Sequence, residues 1–91
     1  MSTPQQRVHE ITRSLLDLLE HGEATTYEAI SLRAELAEAT AEAGHLEDAY
    51  YQVEELMKDA RREHPAQSDA VERARQAVLR VRELGGAGAE G

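Results

Sequence analysis

Four histidines and eighteen carboxylates are the only abundant side chains in this sequence that could bind a metal or move a proton. Glu42-Ala43-Gly44-His45 has the carboxylate-to-imidazole spacing of di-iron helical bundles, in which both ligands share one helix face. A shared face needs an unbroken helix, and Gly44 falls inside the motif as a helix terminator. The sequence holds no second Glu-x-x-His to complete such a site. His21, His45 and His64 instead fall at the ends of predicted helices, where an imidazole can satisfy terminal carbonyls and the helix dipole. No metal and no cofactor are expected. Enzyme chemistry is short of parts as well: no cysteine, one lysine (Lys58), no glycine-rich phosphate loop and no serine elbow. Carboxylates on helix surfaces are solvated charge unless something buries them. The expectation is a chain that is not an enzyme.

The elements that would carry these residues are helices. Thr3-Pro4 suits an N-cap with proline in the first turn, and Val8, Ile11, Leu15, Leu18 and Leu19 follow at helical spacing. Thr25 with Glu28 forms a candidate capping box for a second helix bearing Tyr27, Ile30, Leu32, Leu36 and several alanines, ended by Gly44. Leu46, Ala49, Tyr50, Val53, Leu56, Met57 and Ala60 give the cleanest stripe, stopped at His64-Pro65. Ser68 can cap a fourth helix with Val71, Ala74, Val78, Val81 and Leu84 on its buried face. No segment alternates at period two, so the fold class is all-α. One domain is expected over 1–84, with helices at about 4–20, 26–43, 46–63 and 69–84, then a flexible glycine-rich tail over 85–91.

Charge narrows the partners. The chain carries a net −8, and residues 23–44 hold five acids against one base. Such a surface repels nucleic acid. A helix-turn-helix reading around residues 39–46 fares no better, because its recognition helix would open on Glu47 and Asp48. A DNA-binding regulator is therefore the least favoured alternative. No apolar run could span a bilayer and no signal peptide is visible, so membrane is not expected as a partner. The absence of cysteine fits a reducing cytoplasm, and nine arginines among ten basic residues, with abundant alanine and glutamate, point to the coding bias of a GC-rich bacterial genome.

The sequence also repeats itself. Glu20-His21-Gly22 is echoed by Glu63-His64-Pro65, and Arg33/Arg75, Leu36/Val78, Ala37/Leu79 and Gly44/Gly86 each recur 42 positions apart. Within residues 30–60, Leu36-Ala37 is a large-small pair, Gly44 a turn glycine and Leu46 the apolar residue after it. Ala49 is a small residue one turn before the large Val53. This pattern resembles a tetratricopeptide repeat, of the longer-period type found in kinesin light chains and many actinobacterial proteins. Arg33 stands where that family usually has a large aromatic, and Leu56 where a small residue is common. Residues 3–21 look like a preceding second helix and residues 68–84 like a following first helix.

The resemblance implies four antiparallel helices arranged as helical hairpins, the alternative being an up-down four-helix bundle. It implies a groove lined by the first helix of each pair: Ser31, Ala34, Glu35, Glu38 and Glu42, then Arg73, Gln76 and Arg80. Glu38 and Arg80, 42 apart, would be neighbours of opposite sign. The function implied is a small acidic adaptor that binds a peptide or helix of a partner protein, of basic or mixed charge. The alternative is a homo-oligomeric assembly protein, such as a homodimer joined through Leu16, Leu32 and Leu79.

Overall fold

The computed structural model describes residues 3–89, with side chains described through residue 86. Four helices follow one another: α1 (Pro4–Glu20), α2 (Tyr27–Glu42), α3 (Leu46–Glu63) and α4 (Asp69–Ala89). No strand occurs among the described residues. None of these helices is long and apolar enough to cross a membrane.

Local chemistry sets most of the boundaries. Thr3 Oγ1 accepts from the Gln6 amide at 3.1 Å while Gln6 Oε1 accepts from the Thr3 amide at 2.9 Å, a reciprocal cap on α1. Ser68 Oγ accepts from the Val71 amide at 3.3 Å at the start of α4. The cap of α2 lies one residue beyond the expected position. Thr26, in extended conformation, accepts from the Ala29 amide at 3.2 Å. Alanine three residues after the cap has no side chain to bond back, so the reciprocal Thr25–Glu28 arrangement does not form. α2 ends in a tight turn: the His45 amide donates to the Thr40 carbonyl at 3.1 Å and the Gly44 amide to Ala41 at 3.0 Å. Gly44 reaches φ +93° to make that turn, a region where a side chain meets the backbone.

α4 departs most from expectation. It runs on through Gly85 and Gly86 to Ala89 instead of stopping at Leu84. Gly85 is buried under the ring of Tyr50 from α3, and a methyl group there would overlap the Tyr50 hydroxyl. Gly85 is the first of three glycines that α4 carries, with Gly86 and Gly88, each at a helix cost of roughly 1 kcal/mol, and it is the one packed against α3 among those whose surroundings are described. Residues 90 and 91 of the expected tail lie outside the described residues.

The packing centres on α2. It packs against all three other helices, whereas the α1 backbone approaches only that of α2. The four helices therefore do not close into a ring. Ile30, Ala34, Ala37 and Ala41 of α2 meet Ala49, Val53, Leu56 and Ala60 of α3 and Val71, Ala74, Ala77 and Val81 of α4 in one core. Ala29 and Ala39, also fully buried, fall outside that core on the side of α2 turned to α1. Only Ile11 of α1 is buried.

The 42-residue recurrence extends to the elements themselves. α1 and α3 begin at 4 and 46, and α2 and α4 at 27 and 69. Hairpin α3–α4 is thus the positional counterpart of α1–α2. The core residues Ile30, Ala34 and Ala41 correspond to Glu72, Gln76 and Glu83, which are exposed on α4. The outer face of α4 is polar where its counterpart inside the stack is apolar, with Leu79 the exception.

Replacing Gly44 with alanine forces a side chain into the positive-φ turn. The expected loss is about 1–2 kcal/mol in urea unfolding followed by circular dichroism, with the unfolding slope unchanged.

Candidate interaction surfaces

The polar strip of α2 carries Ser31, Glu35, Glu38 and Glu42, spaced three or four residues apart, between α1 and α4. Ala34, expected on the same surface, is fully buried in the core and cannot reach a partner. It belongs to the stripe of Ile30, Ala37 and Ala41, which turns inward to meet α3 and α4. A shallow groove of about 460 Å³ runs between α2 and α4, lined by Glu38, Glu42, Arg73, Gln76 and Arg80 together with Leu79 and Glu83. Five of the eight expected residues thus come together, while Ser31 and Glu35 lie outside the lining.

The charges of this groove already have partners. Arg73 binds Glu38 through two hydrogen bonds of 2.8 and 3.1 Å, with the two side chains only 19% and 17% exposed. Glu38 holds the Arg73 guanidinium charged even above its already high ordinary pKa. Glu42 pairs with Arg7 of α1 at 3.1 Å, and Arg80 lies 3.7 Å from Glu83. Glu38 and Arg80 line the same groove, but the ion-pair partner of Glu38 is Arg73. A basic ligand would have to displace Arg73 and Arg7 to reach these carboxylates.

A second groove, of about 590 Å³, lies on the other side of α4, against α3. Val53, Met57 and Val78 contribute apolar lining, with Tyr50 40% exposed and Leu79 57% exposed beside them. Lys58, Arg61, Arg75 and Arg82 complete the lining, with Glu54 its one acid. Sequence reading assigned all four of Tyr50, Val53, Met57 and Val78 to the core; Val53 is buried there and Met57 and Val78 pack against it, whereas Tyr50 is exposed, and the reading passed over the surface they border. A signal was present: Glu54, Met57, Lys58 and Arg61 on α3 share the spacing of Arg75, Val78, Leu79 and Arg82 on α4. That spacing puts each set on one helix face, and α3 and α4 lie side by side. Leu79 lines both grooves and forms the ridge between them.

Other apolar exposure is scattered. Leu16 and Leu19 are exposed on α1, whose backbone does not approach α4, so Leu16 and Leu79 form no single patch, and Leu32 is half-buried. Tyr51 is exposed beside Tyr50.

No protein-family model, curated protein or solved structure matches this chain. Its surfaces alone speak for its function.

Two of the four histidines, His21 and His64, bond to backbone carbonyls, whereas His45 makes no side-chain cap bond at the start of α3. His21 Nδ1–H donates to the Asp17 carbonyl at 2.8 Å, one turn back along α1. His64 Nε2–H donates to the Thr25 carbonyl at 2.6 Å and ties the end of α3 to the α1–α2 loop. His45 lies just before α3, so it shares no helix face with Glu42. Among the described residues, no three histidine or carboxylate side chains converge as a metal site.

Two measurements check these assignments. In a double-mutant cycle, Glu38→Ala and Arg73→Ala should couple by about 1–3 kcal/mol, as a bidentate and largely covered pair does. His21 should titrate above the ordinary histidine value, because its bond to the Asp17 carbonyl and then the Asp17 carboxylate favour the imidazolium. A folded-state pKa raised in this way stabilises the protein fully below about pH 6.5, and the contribution is lost as pH rises through the raised value. Unfolding across that window should lose this slope in His21→Ala.

Proposed function

We propose that this chain is a small protein–protein interaction module, one complete tetratricopeptide-like hairpin with a half-repeat on either side, that acts as an adaptor by holding a helix or peptide of a partner against α4. The observation that carries this reading is the ridge of Leu79 between two grooves, one of them lined by exposed Tyr50 and by the partly buried Met57 and Val78. Large apolar side chains left in a concave surface mark binding sites far more than single exposed residues do. The 42-residue offset of both helix pairs and the open stacking on α2 support the hairpin reading. The grooves and the dense helix surfaces favour binding over catalysis. Exposed Leu16 and Leu19 on α1 favour self-assembly as the second reading.

A panel of labelled amphipathic helical peptides with acidic, neutral and basic flanks tests the adaptor reading by fluorescence anisotropy and amide chemical-shift mapping. At least one peptide should bind in the micromolar range, with shifts on both sides of Leu79, and Leu79→Glu should weaken it about tenfold. Leu79 is exposed, so the variant keeps its helical circular dichroism. Absence of binding by every peptide at millimolar concentration would remove the proposal.

A further inference from the structure

The geometry points to an acidic amphipathic helix of a partner protein as the occupant of the α3–α4 groove. This inference rests on the adaptor reading and names the chemistry of its ligand.

The first observation is charge. The chain as a whole carries a net −8, yet four of its ten basic residues line this one groove against a single glutamate. None of the four is held by a carboxylate on another helix. Lys58 meets Glu55 at 3.1 Å and Arg75 meets Glu72 at 3.0 Å, each within its own helix and well exposed to water. Arg61 and Arg82 have no carboxylate at ion-pair distance among the described residues. Exposed pairs of this kind contribute little and exchange readily for a better partner. A helix seated on the apolar lining beside them would exclude water from that side of the groove and strengthen the ion pairs it brings.

The second observation comes from the repeat. Arg75 is the 42-residue counterpart of Arg33. Arg33, on α2, reaches across to Asp59 of α3 at 2.9 Å, with the two side chains 21% and 26% exposed. The protein therefore already uses this arginine register to receive a carboxylate from a neighbouring acidic helix. In the second hairpin the same register is filled by Arg75, and no neighbouring helix supplies the acid. A ligand helix bearing a carboxylate toward Arg75 would reproduce the Arg33–Asp59 contact.

Shape and charge together select the ligand. From Tyr50 to Arg61 the α3 wall spans about 16 Å at the helical rise of 1.5 Å per residue, room for roughly three turns. An apolar stripe at i, i+3, i+4 and i+7 would cover Leu79, Val78 and Met57, while flanking glutamates or aspartates meet the four cations. A basic helix would face like charge at the lining. A long nucleic acid would meet the acidic surface beyond the groove and offer nothing to its apolar side.

Three helix-stabilised peptides with one shared apolar face and glutamate, glutamine or lysine flanks test the inference by anisotropy on the whole chain at 150 mM salt. The glutamate peptide should bind about tenfold tighter than the glutamine peptide, and the lysine peptide weakest, as several desolvated ion pairs together would give. Arg75→Glu/Arg82→Glu should invert that order, while Glu38→Gln, in the other groove, should leave it unchanged. The milder Arg75→Gln/Arg82→Gln keeps the test alive if the reversal perturbs folding, and should reduce the preference to near unity. Equal binding of all three peptides, or binding that Arg75→Glu/Arg82→Glu does not touch, would overturn the acidic-helix inference and leave the adaptor reading standing. Binding of none would remove both. Two further outcomes would also overturn the inference: self-association in sedimentation velocity that competes with the peptide, which would put a second copy in the groove, or a tighter affinity for duplex or single-stranded nucleic acid.

Discussion

The structure depends on burying α2 from two sides at once. A helix can be covered by neighbours on opposite faces only if its side chains let their backbones come close, and α2 meets this condition with alanine. Ala34, Ala37 and Ala41 admit α3 and α4, and Ala29 and Ala39 lie toward α1. Ile30 is the one large side chain that α2 buries completely. Because α2 holds the other helices, the α1 backbone approaches neither α3 nor α4, and the stack stays open. Gln52 of α3 borders a cavity shared with Gln5 and Val8 of α1, and its Oε1 is buried without a hydrogen-bond partner among the described residues.

With two faces committed, α2 has one narrow polar strip left, and its neighbours close over that strip with arginines. Arg7 reaches Glu42 from α1, and Arg73 reaches Glu38 from α4. The acidity of this strip is thus turned into interhelical ties, and the groove beside it has little free charge to offer. The opposite flank of α4 is built the other way. None of its cations is ion-paired to another helix, and Tyr50 and Leu79 stay exposed beside them. The molecule places its satisfied chemistry where helices are neighbours and its unsatisfied chemistry where the stack stops.

Much of the fold was legible in the residues. The stripes of α1, α3 and α4, the cap at Thr3, the cap at Ser68 and the stop at Gly44 follow from local rules, because each depends on side chains within about one turn. The misreadings share a cause. Thr25 and Thr26 are both able caps, and the loop leading from α1 decides between them. Gly85 reads as a terminator until Tyr50 lies over it. Glu38 has two arginines within sequence reach of the groove, Arg73 and Arg80, and only the stagger of α4 against α2 selects the first. Ala34 looks like a groove residue by position and is a core residue by rotation.

By itself, the sequence determined that the chain is helical, where most of its helices start and turn, and that residues of the fourth helix echo those of the second after 42 positions. These are properties of hydrogen bonding and side-chain periodicity along a single strand of chain. Tertiary structure alone decided which carboxylates are neutralised, which leucine forms a ridge, and that basic residues from two helices become one lining. Ion pairs and grooves are made between helices, at distances set by packing angle and axial stagger. An alanine-lined interface fixes those only once both helices are in place.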